Sequence, residues 1–540
     1  MKKRLALLLS IVMIISAFAA ACSKAEETTK KKKKKTKKTS KTAITETVET
    51  DIPTDTDPTD TFTIETSPTP SVPDKTGDPM TISHDLTDLG LMRDAKCYQY
   101  GAMDPTADDY VNYFAVQVRF YCETVSVSKG GAQFAADLDE MYSQIIESGK
   151  ETYSDAVNKF VSAQQNGEHL PYLTLGEYVT IYRADSQVFS FVMDADIFGY
   201  DVEEESSSFY GNVDPNTSAE IEMSDIITDV DRFCDILDMY LYTKDTEYRE
   251  DLKNALKSND ETVFALTYDG IIIDGIKIPV VGHENCINME YFGHTPSEYC
   301  LLLDEKNQIE WDFNGDGIFD HVGVDYQNDE LIVEYNNGSY TFGEDKIPDI
   351  SKMDDLAWNS PSVVMCSPDM CRFIVSMNYS ETVERLLFFD LSSGEPVFEN
   401  IVEGRIIGIP LGPSDLRIGE DVDLIGGREM YRDYVLQPDG SLIPQTAFIY
   451  MHSYPFVLSA DVKGDEFNWD TGEVIGGYTI KKGTAIEIIA YHPNSGAIVF
   501  KTLDPDPDNC KYVQLESDKI DHIGGKSMDE LFPNQIYIGG

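Results

Sequence analysis

Residues 23 to about 85 limit what this chain can fold into, because they contain hardly any aliphatic side chain. The segment consists almost entirely of Thr, Lys, Ser, Pro, Asp and Glu. So little apolar surface cannot offset the conformational entropy that a chain loses when it orders. We therefore predict a disordered, Lys/Thr/Pro-rich tether over residues 22–85, and we expect every folded domain in the 455 residues that follow.

The first 22 residues have the parts of a secretory signal. Residues 2–4 are basic, residues 5–18 are apolar, and small residues lead into Cys22. The apolar run is too short for an ordinary membrane span. The ending Ala19-Ala20-Ala21-Cys22 resembles the lipobox of bacterial lipoproteins, which implies a signal peptide over residues 1–21 and acylation of Cys22. Plain secretion, with cleavage at an Ala-x-Ala site, is the alternative.

This resemblance implies that a lipid anchor holds the mature protein on the outer face of a bacterial plasma membrane. Nine lysines follow the anchor, at positions 30–35, 37, 38 and 41. Anionic headgroups attract such a block, although contact with an anionic wall polymer uses the same charges and is an alternative. The location and the acidity of the remaining chain both argue against nucleic acid as a partner.

The chain beyond residue 41 is strongly acidic. Residues 42–540 carry 30 basic and 93 acidic side chains, a formal charge of −63. Such a surface repels polyanions and concentrates cations, including divalent metals and cationic proteins. The simpler explanation, that acidity keeps an exposed protein soluble, is the alternative.

We predict a multidomain fold whose first domain, residues 86–300, is α+β. Residues 113–127 alternate in the manner of a strand. Over residues 132–160 the apolar side chains recur at three and four positions, which predicts a helix. Residues 264–273 predict a hairpin that turns at Tyr268-Asp269-Gly270.

The rest of the chain is predicted to be all β. Residues 301–471 alternate short strands with polar turns, for example strands over residues 372–377 and 386–389. This spacing favours a propeller-like domain or, as the alternative, a β-sandwich. Residues 472–540 resemble a bacterial SH3-like module, a small β-barrel that often binds wall peptides.

Three stretches of the first domain resemble the DUF4163/DUF3298 module of envelope proteins. They are RADSQVFSF at residues 183–191, NVDPNTSAEIEMSDI at residues 212–226 and FALTYDG at residues 264–270. The module occurs in a polysaccharide deacetylase and in lysozyme-sensing anti-sigma factors. Its usual Gly is Ser218 here, and residues 203–212 replace its Gly-Gly-Ala-His stretch. The catalytic domain of the deacetylase is absent, so the resemblance does not imply that activity.

The sharpest motif is the run DFNGDGIFD at residues 312–320. It offers side-chain oxygens at positions 1, 3, 5 and 9, a backbone carbonyl at position 7 and Gly at position 6, as a calcium loop requires. An EF-hand would need a Glu at position 12, where Gly323 stands. The run resembles instead the FG-GAP/VCBS loops, which join two strands. The predicted ligands of a structural Ca²⁺ are Asp312, Asn314, Asp316, Ile318 and Asp320, and a metal-free Asn/Gly turn is the alternative.

Eight cysteines accompany Cys22, an even number that allows disulfides outside the cytoplasm. The pairs Cys366/Cys371 and Cys286/Cys300 are close enough in sequence to be the candidates. An anaerobic source would leave both pairs reduced.

No catalytic motif is found in the sequence, which has no Gly-x-Ser-x-Gly, His-Glu-x-x-His, P-loop or Gly-rich dinucleotide loop. His283, Glu284, Cys286 and His294 match no zinc spacing, and we interpret them as part of a solvated loop. We therefore predict a non-enzymatic protein that binds wall material or an extracellular protein. The alternative is a wall or glycan hydrolase whose carboxylate pair is hidden among the many acids.

The calcium loop yields the first testable prediction. Asp316→Ala should lower the melting temperature in calcium but not in EGTA, because the lost carboxylate stabilises the fold only through the ion. Thermal unfolding in the two buffers measures this. Equal melting of variant and wild type in both buffers would contradict the site.

Overall fold

The computed structural model describes residues 82–532, apart from gaps at 87–88, 102–116, 171, 200–204, 242–245, 259–263, 274, 293, 295, 359, 380–382, 423–427, 452, 454, 470 and 520–521. The predicted signal peptide, Cys22 and the tether up to residue 81 lie outside the described residues. None of the described helices is long and apolar enough to cross a membrane.

A seven-stranded sheet, called the N-terminal sheet, begins the described part of the chain. Its strands are β1 Ile82–Leu86, β2 Leu91–Gly101, β3 Gln117–Val127, β4 Leu173–Ala184, β5 Phe189–Gly199, β6 Glu205–Asp214 and β7 Ala219–Glu220. They lie side by side in chain order. β3 and β4 are parallel because a helix connects them, and the other neighbours are antiparallel.

The connecting helix, Ala132–Asn166, packs on one face of this sheet. It begins at the predicted residue and extends beyond the predicted end at residue 160. Gly167 ends it with a left-handed φ of 66°, and its N–H donates to the carbonyls of Ala163 and Gln164. The buried stripe consists of Phe134, Leu138, Met141, Tyr142, Ile145, Thr152, Tyr153, Val157, Phe160 and Ala163.

A three-stranded sheet confirms the predicted hairpin. β8 (Phe264–Leu266) and β9 (Gly270–Ile273) are antiparallel, with Leu266 opposite Ile271, and β10 (Ile276–Pro279) pairs with β9. The other described helices are Met223–Ile226, Val230–Tyr240, Thr246–Ser258 and Met528–Leu531, with 3₁₀ turns at Met289–Tyr291, Ile350–Lys352 and Pro507–Asn509.

A six-stranded antiparallel sheet, called the central sheet, follows. Its strands are β11 Tyr299–Leu302, β16 Asp355–Leu356, β17 Val363–Ser367, β18 Met370–Asn378, β19 Glu384–Asp390 and β20 Val397–Glu403. The order is β11-β17-β18-β19-β20, and β16 also pairs with β18. The predicted strands at 372–377 and 386–389 are therefore confirmed as neighbours.

A four-stranded meander contains the predicted calcium loop. β12 (Gln308–Trp311), β13 (Asp320–Gln327), β14 (Glu330–Tyr335) and β15 (Gly338–Phe342) pair antiparallel in chain order. Residues 312–319 connect β12 to β13. The loop therefore joins two strands, as the sequence predicts, rather than two helices.

An eleven-stranded sheet, called the large sheet, contains most of the remaining chain. Its strands are β21 Arg405–Ile406, β22 Leu416–Val422, β23 Arg428–Leu436, β24 Leu442–Pro444, β25 Ile449–Tyr450, β26 Phe456–Val457, β27 Val462–Phe467, β28 Val474–Ile480, β29 Ala485–Tyr491, β30 Ile498–Thr502 and β31 Tyr512–Leu515. The order is β21-β22-β23-β25-β29-β30-β31-β27-β28, with β24 on β23 and β26 on β29. A three-stranded sheet of β32 Ser517–Lys519, β33 His522–Ile523 and β34 Lys526–Ser527 follows.

The large sheet continues across the predicted boundary between residues 471 and 472. β27 lies before that boundary, yet it pairs with β28 and with β31, which both lie after it. The boundary at 300/301 likewise falls within β11. None of the sheets in the described ranges closes into a barrel, so a β-rich fold of several sheets is confirmed, whereas the small barrel and the propeller-like arrangement are not.

The central sheet separates two apolar cores. Val364 and Phe373 face a core that includes the four-stranded meander and the three-stranded sheet. Their chain neighbours Val363 and Ile374 face a second core, shared with residues of the large sheet such as Ile418. The period of two along a strand sends successive side chains to opposite faces. Further cores lie between the long helix and the N-terminal sheet and along the large sheet.

The close packing of the long helix yields a prediction at Gly149. A methyl group there would stand 2.1 Å from the Phe120 ring. Gly→Ala in an exposed helix stabilises by about 1 kcal/mol, but overpacking costs about 1–3 kcal/mol. We expect Gly149→Ala to lower the free energy of unfolding by roughly 1 kcal/mol in denaturant titrations. Ser143→Ala, on the exposed side of the same helix, is the control, and a stabilised Gly149→Ala would refute the contact.

Candidate functional site

The predicted calcium loop is folded around one carboxylate. The oxygens of Asp312 accept backbone N–H groups from Gly315 at 2.7 Å, Asp316 at 3.1 Å and Gly317 at 2.8 Å. The two glycines have φ of 74° and 82°, a left-handed conformation that side chains disfavour. The glycines of the motif are therefore needed for the loop to turn back on its first residue.

The other predicted ligands lie in the same loop. The Asn314 side chain accepts the N–H of Asp316 at 2.9 Å, and the Asp316 carboxylate accepts the N–H of Ile318 at 2.8 Å. The buried Asp320 accepts the N–H of Phe313 at 3.2 Å. The side chain of Ile318, by contrast, is 70% exposed.

The donor chemistry of this loop suits Ca²⁺, because all the predicted ligands are oxygens. The described carboxylates, however, are turned towards backbone amides. No three His, Cys, Asp or Glu residues within the described ranges are grouped so that they could hold a metal ion. A carboxylate can accept these amides and still bind an ion through a remaining lone pair, and calcium stays a prediction.

The family-like stretches meet around a buried arginine. Arg183 and Asp185 have no exposed surface and form an ion pair of 2.6 Å between Nε and Oδ2. Arg183 also donates to the carbonyl of Tyr291 at 2.5 Å, and its guanidinium lies 5.3 Å from the centre of the Tyr268 ring. Because Asp185 also accepts the N–H of Val188 at 2.8 Å, the pair fixes the turn between β4 and β5.

A second buried network links β5, β6 and β8. Ser190 donates to Asn212 at 2.7 Å, and Asn212 donates to the carbonyl of Phe264 at 2.8 Å. Ser218, which stands where the family has Gly, has a φ of 61°. Glycine adopts a left-handed φ of this kind without the steric cost that a side chain adds. These motif residues therefore stabilise the fold, and the network places none of them in an accessible cleft.

A cavity of about 70 Å³ lies between the N-terminal sheet and the large sheet. Sequence analysis did not predict it. It has room for a few water molecules but is far smaller than typical ligand pockets of a few hundred Å³. Its polar lining residues are Arg93, Asp94, Tyr121, Glu123, Thr124, Thr180, Arg417 and Tyr431.

The charges around this cavity are paired. Arg93 lies 2.9 Å from Asp415, and Arg417 donates to Asp433 at 2.8 Å. Glu123 accepts the Tyr121 hydroxyl at 2.9 Å. Burial, and then the Glu123 carboxylate, raise the pKa of Tyr121 well above its usual value, so this hydroxyl is a donor at neutral pH. The arginines at this cavity are thus paired with carboxylates, although Nε of Arg93 and Oδ2 of Asp433 have no hydrogen-bond partner in the described structure.

Further polar contacts join the same two sheets. Gln99 donates to the carbonyl of Ser453 at 3.2 Å, and Lys501 donates to the carbonyl of Cys97 at 3.0 Å. Burial disfavours the charge of Lys501, but the buried Glu487 and further neighbours such as Tyr512 together outweigh burial, and the pKa of Lys501 is raised. Lys501 is therefore a cation inside the interface.

Glu177 has a strongly perturbed carboxyl. It is 7% exposed, and it lines a cavity of about 20 Å³ between the long helix and the N-terminal sheet. Burial, and then Asp196, raise the pKa of Glu177 to about 8. Its Oε2 has no hydrogen-bond partner in the described structure. A raised pKa beside a second carboxylate is what a general acid needs, but this cavity has room for about one water.

The residues considered as a metal cluster do not come together. His283 lies against Tyr240, with 3.4 Å between Nε2 and the hydroxyl, whereas His294 lies 3.4 Å from the Ser186 hydroxyl. The thiol of Cys286 donates to the carbonyl of His283 at 3.3 Å. Cys286 is fully buried. The interpretation of these four residues as part of a solvated loop is therefore wrong for Cys286.

Comparison with known proteins gives little beyond this geometry. No protein-family model matches the chain, and no curated protein matches it. A crystal structure of a DUF3298 family member from Bacteroides fragilis NCTC 9343 is similar over 37% of this chain and 94% of its own, with 14% identity and a TM-score of 0.25. A TM-score this low carries no argument, and the DUF3298 resemblance gains only weak support.

Glu177 yields a prediction on stability and pH. Its folded pKa of about 8 exceeds the ordinary 4.5, so the native state binds the proton more tightly and loses stability as pH rises from about 4.5 to 8. We expect Glu177→Gln to raise the melting temperature at pH 9 and to change it little at pH 5. Glu168→Gln, at an exposed site nearby, is the control. Equal melting of Glu177→Gln and wild type at pH 9 would contradict the raised pKa.

Proposed function

We propose that this chain is a lipid-anchored binding protein on the outer face of a bacterial plasma membrane. The observation that carries the proposal is the opposite charge of its two parts. Nine lysines lie between residues 30 and 41, soon after Cys22, whereas residues 42–540 carry a formal charge of −63. An anionic membrane attracts the first part and repels the second. The folded part is thereby directed away from the membrane and towards the wall.

The proposed ligand is wall peptide, with a cationic extracellular protein as the alternative partner. Support comes from β28, which ends the large sheet. Edge strands of this kind accept an extended peptide as an additional strand. β28 also exposes two large apolar side chains, Val474 and Ile475, at 63% and 65%. The resemblance of residues 472–540 to SH3-like wall-binding modules favours the same part of the chain.

A structural calcium ion at residues 312–320 belongs to the proposal. The ion would offset the charge of Asp312, Asp316 and Asp320 in an already acidic protein, and would hold the connection between β12 and β13. It would supply no chemistry, because protein oxygens occupy its coordination positions.

Co-sedimentation with insoluble Gram-positive peptidoglycan tests the proposed binding. A variant truncated near residue 471 cannot locate the binding site, because the truncation would remove β28 and β31, the strands that pair with β27. The double variant Val474→Ser/Ile475→Ser should lower the bound fraction several-fold. Val397→Ser, at a 45% exposed residue of the central sheet, is the matched control. Wild type that stays in the supernatant in calcium and in EGTA would refute wall binding.

The raised pKa of Glu177 beside Asp196 is the one observation that favours the second candidate, a wall hydrolase. Zymography on purified walls separates the two functions. Clearing by the wild type that is lost in Glu177→Gln and kept in Glu168→Gln would establish the hydrolase. The small cavity leads us to expect no clearing.

A further inference from the structure

Cys366 and Cys371 face each other across the hairpin of β17 and β18. They are direct cross-strand partners, and their Sγ atoms are 3.2 Å apart. Directly opposed side chains in an antiparallel pair have Cβ atoms about 4.5–5.5 Å apart, close to the separation that a disulfide spans. The sheet therefore holds these two thiols in contact with each other.

The register of this hairpin is firmly set. Ser367 pairs with Met370 across the turn, and Met365 pairs with Arg372 on the far side of the two cysteines. Arg372 is buried and lies 2.8 Å from Glu399 of β20. Slippage by one residue would turn Arg372 towards the opposite face. The ion pair thus holds the cysteines opposite each other.

The surroundings favour this pair over the other cysteines. Cys366 is 1% exposed, whereas Cys371 is half-buried. Cys300 on the neighbouring β11 belongs to the core on the opposite face of the central sheet. Cys286 belongs to the same core as Cys366, but its thiol donates to the carbonyl of His283. The two cysteines of the other candidate disulfide, Cys286 and Cys300, therefore lie in different cores.

We propose that Cys366 and Cys371 are an oxidation site that forms one intramolecular disulfide. The co-reactant is a disulfide of the low-molecular-weight or oxidoreductase class. The Cys371 thiolate attacks one sulfur of that disulfide and expels a thiol, and Cys366 then displaces the second thiol. Two protein thiols lose two electrons and two protons, and the reagent disulfide becomes two thiols. Occurrence of the bond in the cell depends on the proposed extracytoplasmic location, whereas the reaction in solution does not.

Peptide mapping tests the site directly. The mature chain with Cys22→Ser contains eight cysteines. Both candidates lie in one tryptic peptide, residues 353–372, since Lys352 precedes it and Arg372 ends it. After treatment of the folded protein with oxidised glutathione, this peptide should lose the mass of two hydrogens, and the titratable thiols should fall from eight to six.

Matched variants complete the experiment. Cys371→Ser should keep all seven of its thiols or gain a stable glutathione adduct, whereas the control Cys286→Ser should fall from seven to five. An unchanged mass of the wild-type peptide, or a bond mapped to other cysteines, would overturn the proposal. The wild-type mass decides the question even if a variant fails to fold. Failure here would leave the proposed wall binding untouched, because that is measured by sedimentation.

Discussion

The inner strands of the central sheet, β17, β18 and β19, are buried on both faces, and the other layers of the described structure depend on that. Val364, Phe373 and Leu387 contribute to one core, whereas Ile374 and Phe388 contribute to the other. Each such side chain contributes roughly 1.5–3 kcal/mol when it is removed from water. The sheet is stable only with a layer on either side, so the meander and the large sheet are parts of one folded unit with it.

The contact between the N-terminal sheet and the large sheet is of a different kind. It contains Arg93, Arg417 and Lys501, each balanced by a carboxylate, around a small polar cavity. Buried ion pairs add little net stability, because desolvation consumes most of the attraction. Of the three, Arg93 reaches across to Asp415, whereas Arg417 and Lys501 lie beside carboxylates of their own sheet. The pair of Arg93 and Asp415, with the bond from Lys501 to the carbonyl of Cys97, therefore favours one orientation of the two sheets.

Local patterns in the sequence identified the local elements. The long helix follows from the period of its apolar residues, and the hairpin of β8 and β9 from Tyr268-Asp269-Gly270. The cavity between the N-terminal sheet and the large sheet could not be predicted from local patterns. Its residues Arg93 and Arg417 are far apart in sequence, and only the packing of remote strands brings them together. The pairing across the predicted boundary near residue 471 did not follow from local patterns either, since β27 has its partners later in the chain. The sequence did contain a signal for Glu177, because this residue is the single acidic side chain among the mostly uncharged residues of β4.

The position of β27 in the large sheet also determines when this sheet can be completed during folding. A chain is synthesised from its amino terminus, so β27 emerges before β28 and β31, between which it lies in the finished sheet. Until residues 512–515 have emerged, one edge of this strand has no partner, and it can pair wrongly with another strand. Completion of the large sheet therefore waits for nearly the whole chain, and mispairing of β27 is the main hazard during that interval.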